Sequence, residues 1–252
     1  ALVSAGLVGV LFLAVVLLVD VWRRTPLAAA LVVTVLPLAA IGAPRLLHGT
    51  GERLATAAGA VLLAAGLVAL AFVPGSSLGW VIPALVLAGL GFGAAVPALT
   101  GRALLHPRDI ASAGAVSIAA RHIGLVLGLV VVTPLLAHDV TRSERQATLL
   151  GVSQVLDAPL PAATKVPLAL DLHRILRTSP DGRIPDFSPA FAQAAARSGA
   201  TPELASLEQG FRESTTAPVT RAFRTSFIAA ALLALGALVP LALGGSRRRE
   251  PA

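Results

Sequence analysis

ALVSAGLVGVLFLAVVLLVD, residues 1–20, carries no charge before its last residue, Asp20. About 20 helical residues at 1.5 Å each cross a hydrocarbon core. Five further blocks of the same character follow, at roughly 27–44, 55–73, 80–100, 111–137 and 225–244. Lipid tolerates only helices and closed barrels, because no water is present to satisfy backbone N–H and C=O groups. None of the blocks alternates polar and apolar residues as a barrel strand does. The chain therefore reads as an all-α membrane protein with six transmembrane helices. Block one is no secretory signal: no basic stretch precedes it and it leads straight into a second span.

The gaps between blocks are unequal, and this sets the organisation. Residues 1–137 hold five transmembrane helices, 138–224 form one long polar segment, and 225–252 hold the last helix and a basic tail, SRRREPA. Within the polar segment Leu168, Leu172 and Ile175 recur at helical spacing behind Thr164, a candidate N-cap. Ser188-Pro189 and Thr201-Pro202 each read as an N-cap followed by proline in the first turn, with Gly199 closing the helix between them. The segment is expected to form three or four short amphipathic helices over the outer mouth; a disordered tether is the alternative.

Hydrophobic residues make up 56% of the chain and charged ones 13%, too apolar for an ordinary soluble domain. The net charge of +7 raises the question of nucleic acid. However, Asp139 to Arg224 holds ten Lys/Arg and nine Asp/Glu, and no basic stripe with interleaved aromatics occurs, so a nucleic-acid partner is not expected. The excess is a topology signal instead. Connectors two and four and the tail carry Arg45, Arg53, Arg102, Arg108, Arg247, Arg248 and Arg249, whereas the short connectors opposite carry only Arg23 and Arg24. This asymmetry puts both termini in the cytoplasm and residues 138–224 outside, with Trp22 and Trp80 at the outer interface. There is no Cys, hence no disulfide and no thiolate metal site. There is also no Met, and a chain that opens on a span without one is expected to be a processed or excerpted piece of something longer.

Few residues inside the spans carry chemistry. Arg121 and His122 are the ionisable residues deep in one, and such groups usually face a protein interior or an aqueous cavity. Arg121 is placed to bind an anionic group or helix carbonyls, or else to snorkel to the headgroups. His122 points about 100° away and is a candidate titrating group or a packing residue. Gly89 and Gly93, followed by Pro97, put small residues on one face of span four, which serves either rocking or tight packing. Ser4, Thr34, Thr100, Ser117 and Thr133 are among the few weakly polar residues within the spans. No span contains a carboxylate away from its ends, and no paired catalytic groups, phosphate loop or metal spacing occurs. Neither an enzyme nor a cofactor is expected.

Several stretches in order carry a family resemblance. They are Trp22-Arg23-Arg24-Thr25-Pro26, the Gly89-x-Gly91-x-Gly93-x-x-x-Pro97 run, and Ala111-Ser112-Ala113-Gly114 followed by Arg121-x-x-Gly124-x-x-x-Gly128. Val155-Leu156-Asp157-Ala158-Pro159 through Lys165 is the last. Together with five spans, a long outer segment and a terminal span, they resemble the C-terminal portion of the fourteen-span drug:proton antiporters of the major facilitator superfamily. One departure is that Gly42-Ala43-Pro44-Arg45-Leu46-Leu47-His48-Gly49 lacks the Asp of that family's basic cytoplasmic motif.

The resemblance implies half of a major-facilitator bundle, built as two three-helix repeats, that rocks against a second bundle around a midplane site, with spans one, two, four and five lining the cavity and Ser4, Thr34, Thr100, Ser117 and Thr133 as its polar candidates. It implies export of lipophilic, often cationic, small molecules in exchange for protons across a bacterial plasma membrane. The implied partners are membrane lipid, the small lipophilic substrate and the N-terminal spans of the same transporter, which hold the proton-coupling acid in that family. Two rival readings are a stand-alone six-span permease or channel subunit, and a membrane-anchored protein whose outer domain does the work.

Overall fold

The computed structural model describes residues 1–46, 49–104, 110–178, 185–199 and 201–243. The connector residues His48, Arg108 and Asp109, the acid Asp181 and the tail arginines Arg247, Arg248 and Arg249 lie outside them. The described residues contain nine α-helices and no strand. The helices are α1 (Leu2–Val16), α2 (Pro26–Leu46), α3 (Glu52–Ala71), α4 (Leu78–Leu104), α5 (Ile110–Asp157), α6 (Ala162–Thr178), α7 (Ser188–Ser198), α8 (Pro202–Gly236) and α9 (Leu238–Leu243). Six stretches are long and apolar enough to span a membrane: Leu2–Val21, Pro26–Arg45, Glu52–Ala71, Leu78–Gly101, Ala111–Ser143 and Pro202–Leu243. The protein is an all-α membrane protein.

Sequence dictates where these helices bend and stop. α1 widens into a π-helical turn, Leu17–Val21, and leaves it through Arg23 at φ 55°, a left-handed conformation uncommon outside glycine. Interior prolines Pro37, Pro83, Pro97 and Pro134 do not break their helices, which membrane helices tolerate when neighbours satisfy the freed carbonyl. The last span does break, between Gly236 and Leu238. Pro240 has no N–H to offer the Gly236 carbonyl four residues back, which accounts for the interruption. Thr201 caps α8, its Oγ1 accepting from the Leu204 N–H at 3.3 Å with Pro202 next to it, and Gly199 at φ 85° closes α7.

Two other caps differ from expectation. Thr164 lies inside α6, which starts at Ala162. Ser188 is the first residue of α7, and the capping acceptor is Asp186, whose Oδ1 takes the Ser188 N–H at 3.1 Å and its hydroxyl at 2.7 Å. The largest difference concerns length. α5 has 48 residues, about 72 Å of helix, and α8 has 35. No helix end falls at 138 or at 225, so both spans continue unbroken into the polar layer. Among the described residues only α6 and α7 are separate short helices there.

The polar layer has its own apolar core of Val155, Leu168, Leu172, Phe187, Phe191, Leu204 and Phe211, with small residues between them. Phe187 and Phe191 meet Phe211 edge-on, at centroid distances of 5.0 and 5.6 Å. A second core fills the span bundle around Leu13, Leu17, Leu63, Leu67, Leu85, Phe223 and Phe227.

The packing pairs within the bundle follow a rule. α4 lies on α2 and α3, α1 lies on α5 and α8, and α3 lies on α8. Exchanging the first three spans for the last three turns the α3–α4 pair into α8–α1, turns α2–α4 into α5–α1, and leaves α3–α8 as itself. Glycine makes each of the first four contacts close. A Cβ on Gly59 of α3 would sit 2.6 Å from the Gly91 carbonyl oxygen of α4, and one on Gly9 of α1 would sit 2.7 Å from Ala230 Cβ of α8. Gly89 and Gly93 of α4 lie against the Leu36 and Ala40 carbonyls of α2, and Gly124 and Gly128 of α5 against those of Ala1 and Ala5 of α1. Lipid supplies no hydrophobic drive between helices, so such close backbone approach is what association rests on. Besides the slight α1–α3 contact, the α5–α8 pair lacks a counterpart. It includes the continuations of both helices into the polar layer, where the Ser214 hydroxyl donates to Gln154 Oε1 at 2.8 Å.

Candidate functional site: a cleft between three spans

Within α5, Ala113, Ser117, Arg121, Gly124 and Gly128 succeed one another at spacings of four, four, three and four, which puts them on one helix face. The two glycines bring that face onto α1 at Ala1 and Ala5. Beside this contact, toward the end of the bundle away from the polar layer, the same face lines a cavity of about 700 Å³. α1 contributes Val3 and Ser4, α4 contributes Val96, Leu99 and Thr100, and α5 contributes Ser112, Ser117, Ile118 and Arg121. Such a volume falls in the range of small-molecule sites, which pair an apolar lining with a few polar groups.

Four of the residues singled out from the sequence, Ser4, Thr100, Ser117 and Arg121, meet in this cavity. The Thr100 hydroxyl donates to the Val96 carbonyl of its own helix at 2.9 Å. Arg121 is exposed and forms no hydrogen bond or ion pair with another described residue. No carboxylate is among the described lining residues.

The other candidates lie elsewhere. Thr34 is exposed on α2 and its hydroxyl donates to the Ala30 carbonyl at 2.7 Å. Thr133 is exposed on α5, beyond the glycine contact. His122 turns away from Arg121 and its Nδ1 pairs with the Ile118 carbonyl at 2.9 Å; a carbonyl only accepts, so Nδ1 carries the proton there. Gly89 and Gly93 are buried against α2, and Pro97 is exposed on α4 without lining the cleft. Ser112 is the polar lining residue that the sequence reading did not count among the cavity candidates. It stands at the edge of its apolar block, where polarity reads as a boundary.

A second cleft, of about 570 Å³, lies where the polar layer meets the bundle. Trp22, Arg23, Ser76, Asp186, Arg212 and Thr220 are among its lining residues. Trp22 is buried there and its Nε1–H donates to Thr220 Oγ1 at 3.3 Å, so this indole serves packing; Trp80 is the exposed one, donating to the Ala69 carbonyl at 2.7 Å. Arg212 donates to Ser188 Oγ at 2.7 Å and to Glu208 Oε1 at 2.8 Å. The two hydrogen bonds from Ser188 hold the Asp186 carboxyl below its ordinary range, against the opposing effect of burial and with lesser help from Arg23 and Arg212.

No protein-family model matches the chain, and comparison with curated proteins finds no match.

Proposed function

We propose that this chain is the C-terminal six-span bundle of a major-facilitator-type exporter, moving lipophilic small molecules outward in exchange for protons by alternating access. The observation that carries the reading is the cleft between α1, α4 and α5, in a bundle whose helix pairs interchange when its two three-span units are exchanged. Three spans are an odd number, so the second unit threads the membrane in the opposite sense to the first; that is the inverted repeat on which such transporters are built. Glycine contacts flank the cleft and let α4 and α5 slide on their neighbours without interlocked side chains. The carboxylate that takes up the proton belongs, in this reading, to the second bundle against which this one rocks.

The plasma membrane of a bacterium is the proposed location, with both termini cytoplasmic and the cleft open to the cytoplasm for loading. The short-connector arginines favour this orientation. Arg142, Arg221 and Arg224, on the continuations of α5 and α8, weigh against it. Labelling decides between the two. With no native Cys, Ser206→Cys reacts with a membrane-impermeant maleimide on intact cells and Ser246→Cys does not; the reverse pattern sinks the topology.

A second reading, a membrane-anchored protein that works through its polar layer, draws on the separate apolar core and cleft of that layer. The uninterrupted run of α5 and α8 from one region into the other favours the transporter, because it couples the layer mechanically to the spans.

A further inference from the structure

We propose that the cleft between α1, α4 and α5 selects amphipathic anions, an apolar body carrying one sulfonate, carboxylate or phosphate, over the lipophilic cations that the family resemblance implies. The inference rests on the exporter reading for its physiological meaning and on the cleft's own chemistry for its sign. Arg121 carries the one charged side chain lining the cavity among the described residues, and none of them pairs with it. Guanidinium is positively charged and presents a planar set of donors that matches two oxygens of such a group. Its position adds direction: it stands one helical turn from Gly124, beside the contact between α5 and Ala1, with Ser117 one turn further toward the opening.

The rest of the lining suits the remainder of such a molecule. Val3, Val96, Leu99 and Ile118 offer apolar surface. Ser4 and Ser117 make no hydrogen bond to a described residue, so each hydroxyl is available to donate. A cation of the same shape gains the apolar contacts equally. It instead meets like-charge repulsion from an arginine that no described residue pairs with. The sign of the charge is therefore the discriminating feature.

The test uses two probes with one tail, decanesulfonate and decyltrimethylammonium, on the full chain in nanodiscs. Ser117→Cys places a unique thiol in the cleft, and its alkylation rate by N-ethylmaleimide reports occupancy; Ser206→Cys in the polar layer controls for general effects of amphiphiles. Mass action predicts that the sulfonate slows alkylation at residue 117 about tenfold at ten times its Kd. The ammonium is expected to leave the rate nearly unchanged. Arg121→Gln removes the sulfonate's protection and Arg121→Lys keeps most of it. Equal protection by both probes, protection by neither, or sulfonate protection that survives Arg121→Gln overturns the proposal. The exporter reading fails separately: sulfonate protection without transport of either probe in vesicles supports the anion site and removes the exporter. Transport of the ammonium without sulfonate protection does the opposite.

Discussion

Gly93→Ala is a small change with a large expected effect. A Cβ at this position would overlap the Ala40 carbonyl oxygen and lie 2.6 Å from Ala40 Cα and 2.7 Å from its carbonyl carbon. All three are backbone atoms, so no side-chain rotation relieves the clash. Restoring ordinary contact distances needs roughly 1 Å of separation between α4 and α2, and overpacking of this kind costs about 1–3 kcal/mol. For a chain of this size each kcal/mol corresponds to about 2–4 °C in Tm, which puts the expected drop between about 2 and 12 °C. Gly114→Ala is the matched control: nothing lies within 4 Å of its Cβ position, so alanine's better helix propensity makes it neutral or slightly stabilising. Ser226→Cys supplies the probe, since Ser226 is fully buried and its hydroxyl has no partner among the described residues. A thiol-reactive fluorophore then reports unfolding in detergent. An unchanged Tm for Gly93→Ala, or an equal fall for Gly114→Ala, refutes the account of glycine-mediated packing.

Two further expectations concern the polar layer. Phe211→Ala removes the ring on which Phe187 and Phe191 pack, a loss of about 3–5 kcal/mol. Hydrogen exchange should accelerate in α6 and α7 while α3 and α4 stay protected, and parallel loss in all four would show that the layer has no core of its own. Asp186 has a folded pKa below its ordinary 3.8, so its contribution to stability is present above that value and is lost as pH falls through the lower folded one. Asp186→Asn should therefore lower the Tm at pH 7, with the gap to wild type closing as pH falls through the lowered folded pKa; a gap that widens in acid contradicts the assignment.

The sequence disclosed the spans because lipid leaves a chain so little choice: a charge-free block of about 20 residues has one stable form. It disclosed much of the cleft for a related reason. Polar residues inside such blocks are rare, so Ser4, Thr100, Ser117 and Arg121 stood out before any geometry was known. Thr34 and Thr133 stood out equally and lie elsewhere, because a span's sequence does not tell which face meets which neighbour. The ends of α5 and α8 were not legible. Apolarity stops at Ala137, but this marks where lipid would end and not where the helix does. HDVTRSERQATLL continues with good helix formers, and the first proline after it is Pro159. Trp22 illustrates a third limit. A tryptophan after a span reads as an interfacial anchor, and its partner Thr220 lies 198 residues away.

The most direct test of the proposed exporter is transport in sealed vesicles. Purified 1–252 in proteoliposomes with an imposed pH gradient should move no amphiphilic dye, because the carboxylates of its described spans stand at their ends or in the polar layer and none stands in the apolar interior to relay protons. Co-expression with the eight N-terminal spans of such a transporter should restore gradient-driven movement, and Arg121→Ala in that complex should abolish it at normal expression. Proton-coupled dye transport by 1–252 alone would contradict the account and favour a stand-alone permease.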